Sequence, residues 1–186
     1  MKLSDNFMRG DRLELTGFAR EDAETLAAFM RDPALIRLSD PGPLDYPDPE
    51  EIWRELSEAN KSKEQCVFAI RSREDRRLLG WAELDNIDLL HQNACIGLGL
   101  GDPGERGKGS GSEALGLLLA YAFRELNLHR IEARVFAYNE ASLRLASKQF
   151  SLEGIRREAV RRDGRWHDEH IYALLAPDWF AAANQH

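Results

Sequence analysis

From Ile96 to Gly111 the chain reads IGLGLGDPGERGKGSG, with glycine at 97, 99 and 101 between Ile96, Leu98 and Leu100. Side chains alternate faces along a strand, so one face here is apolar and the other is bare. A bare face costs stability and marks the close approach of a ligand or another backbone. The segment continues as Arg106-Gly107-Lys108-Gly109-Ser110-Gly111, a glycine-rich turn running into a strongly patterned helix. Such a turn presents free backbone N–H groups at the positive end of a helix dipole, which is a site for phosphate. Together the two halves predict a long, thin, phosphorylated ligand lying along the strand.

Two nucleotide motifs fail on this segment. A Walker-type loop ends in Gly-Lys-Ser/Thr, whereas Lys108 precedes Gly109 and Asp102 stands where the first glycine belongs. The dinucleotide fingerprint is met by Gly99, Gly101 and Gly104, but Pro103 and a second loop follow where a helix has to begin. The helix after the turn carries Leu115, Leu118, Leu119, Ala122, Phe123 and Leu126 on one stripe, and Asn127 ends it. Arg130 to Ala137 then alternates as a strand, and Asn139 is placed to cap a short helix running to about Lys148.

Arg106-Gly107-Lys108-Gly109-Ser110-Gly111 matches the pattern Arg/Gln-x-x-Gly-x-Gly/Ala of the GNAT acyltransferases. The run Leu126-Asn127-Leu128-His129-Arg130-Ile131, the pair Asn139 and Ser142, and the stretch Leu152-Glu153-Gly154 through Asp168 resemble the subgroup of ribosomal-protein N-terminal alanine and serine acetyltransferases. The resemblance covers about residues 9 to 180 and is sharpest from 79 to 175. It implies direct acetyl transfer from acetyl-CoA, as co-substrate and without a metal, to a primary amine in a ternary complex. It also implies CoA contacts by Leu98, Gly99, Leu100, Arg106, Gly107, Lys108, Gly109, Ser110, Gly111, Asn139 and Ser142. The bare glycine face would let the pantetheine arm pair with main chain, and an N–H near Leu98 to Leu100 would stabilise the oxyanion.

The chain departs from the family where Leu145-Ala146-Ser147-Lys148-Gln149-Phe150 stands in place of a Leu-Tyr pair followed by Gly-Phe. The missing tyrosine removes the family's usual acid, and the missing glycine predicts an irregular helix exit. Ser142, one turn before Ala146 on the same face, is the replacement candidate; Tyr138 is the second. For the base, Glu83 and Asp85 share one strand face and Glu132 projects from another strand. His167 and His170 differ by three and so point to opposite faces of a strand, which argues against a metal pair. The rival function is a non-catalytic acyl-CoA-binding relative that kept the turn and lost its acid.

The formal net charge is −7, and it lies in residues 1 to 100; Asp45 to Glu58 holds six carboxylates against Arg54. Nothing here resembles a nucleic-acid footprint. The acidic stretch reads either as a solvated face or as a surface attracting a cationic amine: a protein N-terminus, a polyamine or an aminoglycoside-like acceptor. Cys66 and Cys95 lie in apolar strand-like runs and are expected as reduced core thiols. No apolar run reaches membrane-spanning length and no signal-peptide core opens the sequence, which predicts a cytoplasmic location and no membrane partner.

The length predicts one domain over residues 1–186, as a monomer or homodimer. Strands are expected at about 12–17, 65–72, 78–86, 93–100, 130–137, 153–162 and 168–175. Helices are expected at about 21–30 and 49–60 besides the two described, with a proline-rich loop from 33 to 49. This order gives a mixed α/β fold around a mostly antiparallel sheet of about seven strands, splayed at the ligand-binding strand.

Overall fold

The computed structural model describes residues 8–59 and 61–183. Seven strands form one sheet in the order β1-β2-β3-β4-β5-β7-β6. They are β1 Leu13–Thr16, β2 Cys66–Ser72, β3 Leu78–Asp88, β4 Asn93–Leu100, β5 Arg130–Phe136, β6 Ser151–Arg162 and β7 Arg165–Leu175. Every neighbouring pair is antiparallel except β4 and β5, which run parallel. That parallel pairing covers only Asn93–Cys95 against Arg130–Glu132. Beyond Cys95 the two strands diverge, and the sheet opens into two wings.

Helices cover the wings unequally. On one face α1 (Asp22–Met30) and α3 (Pro49–Ala59) pack Ala23, Leu26, Ile52 and Leu56 against Val67, Ala69 and Leu78. A buried ion pair between Asp22 and Arg71 ties α1 to β2. On the opposite face α4 (Ser110–Ala120) delivers the predicted stripe, with Leu118, Leu119 and Ala122 fully enclosed beside Ile131 and Leu84. The helix loosens into a π turn at Tyr121–Glu125, and Asn127 ends it in the left-handed region at φ 53°. Asparagine suits that position because it tolerates such a backbone better than most residues.

Two helices depart from the sequence expectation. Residues 33–39 form α2 (Pro33–Ser39) instead of loop: Asp32 caps it by accepting from the Ala34 N–H at 2.9 Å, and Pro33 sits in its first turn. Proline is favoured there because the missing N–H has no intrahelical partner to lose. The chain also closes with α6 (Ala176–Ala183), whose Trp179 packs beside Phe123. The expected end of α3 at Asn60 lies outside the described residues. The short helix α5 (Glu140–Ala146) leaves through Ser147 in right-handed geometry, with the Gln149 and Phe150 N–H groups both donating to the Ala146 carbonyl. This is the glycine-free exit expected from the sequence. Among the described residues no helix is long and apolar enough to cross a membrane.

Candidate active site

The splay between β4 and β5 creates a cleft of about 330 Å³. Its apolar wall is Ile96, Leu98, Leu115, Leu145 and Ala146, and its polar wall is Glu83, Asp85, Arg134 and Glu169. Ser142 and Asn139 stand at its α5 side. The backbone alternation of β4 decides which residues face the gap. The Gly101 N–H donates to the Leu79 carbonyl at 2.9 Å, and the Gln92 carbonyl accepts from His129 at the β5 side. Because backbone groups alternate in direction along a strand, Gly97 and Gly99 bond toward β3. Ile96, Leu98 and Leu100 turn their N–H and C=O groups toward the gap, where β5 no longer pairs with them.

The glycine face is therefore not an open track for a ligand. Glu83 lies over Gly97, Trp81 over Gly99 and Phe29 over Gly101, each so close that a Cβ on the glycine would collide with it. Glycine here makes room for side chains of the α1 and β3 side. This corrects two expectations, since Gly99 offers its backbone to β3 and an arm lying along β4 would meet the strand's edge.

Glu83 sits between the two half-sites. It lines the cleft and also a second pocket of about 520 Å³ on the α1–α3 side, with Trp81, Leu56, Glu55 and Glu58. Burial raises its carboxyl to about 7, and the neighbouring Asp85 charge adds to the effect. Asp85, which lines the same cleft, is likewise raised by burial. Glu132 behaves differently. Burial raises it, but hydrogen bonds from Arg134 at 2.9 Å and Arg130 at 3.2 Å outweigh burial and hold it below the usual carboxylate range. A carboxylate clamped by two guanidiniums is a poor proton acceptor, so the expectation of Glu132 as base does not suit this geometry. Cys95 is no core thiol: it lines the cleft, half-buried, and burial pushes its thiol up.

The acid candidates also separate. Ser142 faces the cleft beside Ala146, its N–H donating to the Asn139 cap at 3.1 Å while its hydroxyl makes no hydrogen bond among the described residues. Asn139 spends its amide on α5 and on the Leu38 carbonyl, at 3.1 Å, so it positions Ser142 and joins α2 to the cleft rim. Tyr138 stacks on Phe136 and meets His167 edge-on, away from the cleft wall, with its hydroxyl buried.

The glycine-rich turn sits at the end of β4. Gly107 and Gly109 adopt φ of 77° and 87°, and Gly109 begins α4 without any side-chain cap. The first N–H groups of α4 thus meet no capping side chain, as an anion site requires. Arg106 donates to Asp32 at 3.2 Å, and Lys108 is exposed. Gly111 abuts Leu98, Leu100 and Leu145, so it closes the apolar wall of the cleft. Ser110 is fully buried and turns its hydroxyl inward, so its side chain offers nothing to a ligand. Trp81, Phe29 and Arg12 were not singled out by sequence reasoning. Trp81 shares the Glu83 face two residues away, which period-two alternation does signal; Arg12, just before β1, has no local signal.

Among the described residues no cluster of three potential metal ligands occurs. The acidic stretch divides: Glu50 pairs with Arg20 and Glu51 with Arg54, whereas Glu55 and Glu58 line the pocket of Glu83 and carry no ion pair among the described residues.

The pattern that defines the acetyltransferase (GNAT) domain matches residues 12–149. A probable N-acetyltransferase of Bacillus subtilis, YjcK, is 41% identical over 126 residues, 67% of this chain and 69% of that protein. The uncharacterized N-acetyltransferase p20 of Bacillus licheniformis is 30% identical over 171 residues, 91% and 96% of the two chains. In fold, the spermidine N-acetyltransferase of Vibrio cholerae, solved in complex with CoA and spermine, superposes with a TM-score of 0.82 at 22% identity, covering 92% of this chain and 99% of that one. The split sheet, the uncapped glycine turn and these relatives lead to one conclusion: the chain belongs to the GNAT family of N-acetyltransferases.

Proposed function

We propose that this protein transfers the acetyl group of acetyl-CoA directly to a primary amine carrying further positive charge, a protein N-terminus or a small cationic amine. The observation that carries the reading is the position of Glu83, half-buried with a carboxyl near 7, between an edge-lined cleft and a separate acidic pocket. A base is most useful when its pKa lies near the working pH.

In this reading the turn Arg106–Gly111 holds the pyrophosphate through backbone N–H groups, and the pantetheine arm follows the unpaired edge of Ile96, Leu98 and Leu100. The amine enters past Glu55, Glu58 and Trp81. Glu83 accepts the amine proton, directly or through one water, as nitrogen bonds to the acetyl carbon. A β4 N–H at Leu98 or Leu100 stabilises the oxyanion, an effect worth roughly 3 to 4 kcal/mol for one donor. The carbon–sulfur bond then breaks, and Ser142 or a water it orders protonates the thiolate. The unpaired Glu55 and Glu58 support a charged acceptor, in keeping with the spermine held by the solved neighbour from Vibrio cholerae.

The test is release of free thiol from acetyl-CoA against N-terminal Ala and Ser peptides, polyamines and aminoglycosides. Thiol release with at least one amine class is expected; CoA binding without release from any amine would leave only a binding module. Gly109→Asp is expected to abolish CoA binding, because a carboxylate would enter the turn at a backbone of φ 87°. Unchanged calorimetric CoA affinity in that folded variant would remove the donor site from the turn.

A further inference from the structure

A buried carboxylate stands immediately before the glycine-rich turn. Glu105 is 8% exposed, and Ser110, the first residue of α4, is wholly enclosed beside it. A negative charge there opposes any phosphate-bearing ligand, so electrostatics alone disfavours it. Its contacts indicate a different role. Ser110 Oγ donates to Glu105 Oε2 at 2.7 Å, and Arg77 Nη2, from the start of β3, donates to Oε1 at 3.0 Å. Lys108 Nζ lies 3.7 Å from the same Oε1. Just before β1, Arg12 donates to the Lys108 carbonyl at 3.0 Å and to Ser110 Oγ at 3.4 Å. The Ser110 hydrogen bond, against the cost of burial, holds the Glu105 carboxyl below its ordinary range, with Lys108 and Arg77 adding to it.

Two consequences follow from this arrangement. The Ser110 hydroxyl is directed into the molecule and cannot compete for the first N–H groups of α4. The turn, which contains two positive-φ glycines with a large conformational entropy to lose, is fixed to the sheet through Arg77 and Arg12. We propose that Glu105 is the positioning residue of the pyrophosphate turn: by holding Ser110 and Arg77 together it keeps the N–H groups of residues 107–111 converged before the ligand arrives. This rests on the reading of the turn as the CoA site.

Electrostatics and positioning predict opposite signs. If charge alone mattered, Glu105→Ala would bind CoA more tightly. Positioning predicts that it raises the CoA Kd and the acetyl-CoA KM about tenfold, the low end for hydrogen bonds to a charged group, while kcat and the acceptor KM hold. Glu105→Gln retains an oxygen that accepts from Ser110 and should recover most of the affinity. Pantetheine, which lacks the pyrophosphate, should inhibit wild type and variants equally. Should the alanine variant not fold, Ser110→Ala reports on the same hydrogen bond and should weaken CoA without affecting pantetheine. Unchanged or tighter CoA binding in the folded alanine variants, equal losses for pantetheine, or a fall in kcat at constant KM would overturn the proposal. If Gly109→Asp abolishes binding while Glu105→Ala does not, only the positioning role fails; if Gly109→Asp binds normally, the turn itself is misassigned.

Discussion

Replacing Glu83 by glutamine should make the protein more stable and less active, and the gain in stability should depend on pH. The carboxyl loses its proton at about 7 in the folded chain against an ordinary 4.5, so its charged form is disfavoured there by up to about 3 kcal/mol. Below 4.5 the group is protonated in both folded and unfolded states and costs nothing. Between 4.5 and about 7 the folded state binds the extra proton, so wild-type stability falls as pH rises through this window. Above it the full penalty remains. Glutamine keeps the shape without the charge, so Glu83→Gln should match wild type at about pH 4 and unfold up to roughly 8 °C higher at about pH 8. Activity should move the other way. Wild-type kcat/KM for the acceptor should rise with pH and level off above about 7, apart from the acceptor's own ionisation, whereas the variant should lack that limb and lie about a hundredfold lower. Thermal melts at the two pH values and a pH–rate profile read both effects. A stability gain equal at both pH values, or a limb near 7 surviving in the variant, would refute the burial argument and the assignment of the base together.

Ser142→Ala is expected to lower turnover about ten- to a hundredfold with CoA affinity little changed, because a CoA thiolate is already a fair leaving group; turnover within about twofold of wild type would shift proton delivery to a bound water. Glu132→Gln should keep the pH limb of wild type, since Arg130 and Arg134 already hold that carboxylate ionised; loss of the limb would restore Glu132 as a base candidate. Reversing Glu55 and Glu58 to Lys should raise the KM of a cationic acceptor more at low salt than at high salt, because exposed charges are screened. An equal effect at both salt levels would make the pair a solvated face only.

Much of this molecule is legible in its sequence wherever the information is carried by near neighbours. The stripe from Leu115 to Leu126, the Asn139 cap, the alternation of the seven strands and the uncapped glycine turn all depend on contacts within a few residues, so periodicity and cap chemistry reveal them. The misses among local elements have local causes. The Asp32-Pro33 start of α2 reads as loop because prolines crowd the segment, although proline in a first helical turn is a start signal.

What only the tertiary structure decided is how differently the equivalent-looking carboxylates are surrounded. Glu83, Asp85 and Glu132 have the same residue class and the same strand spacing. They differ because two arginines lie against Glu132, while Glu83 is half-buried beside Asp85 with no cation paired to it among the described residues. The same holds for the alternating glycines: only the pairing of β4 with β3 shows that Gly99 bonds inward under Trp81 while Leu98 and Leu100 offer the free edge. The turn needs Arg12 and Arg77, distant in sequence, to fix a shape its glycines would otherwise leave free. Charge stabilisation, burial and strand register are properties of neighbours in space. A linear pattern can name the candidates, but the field that raises one carboxyl and clamps another between arginines exists only once the chain has folded.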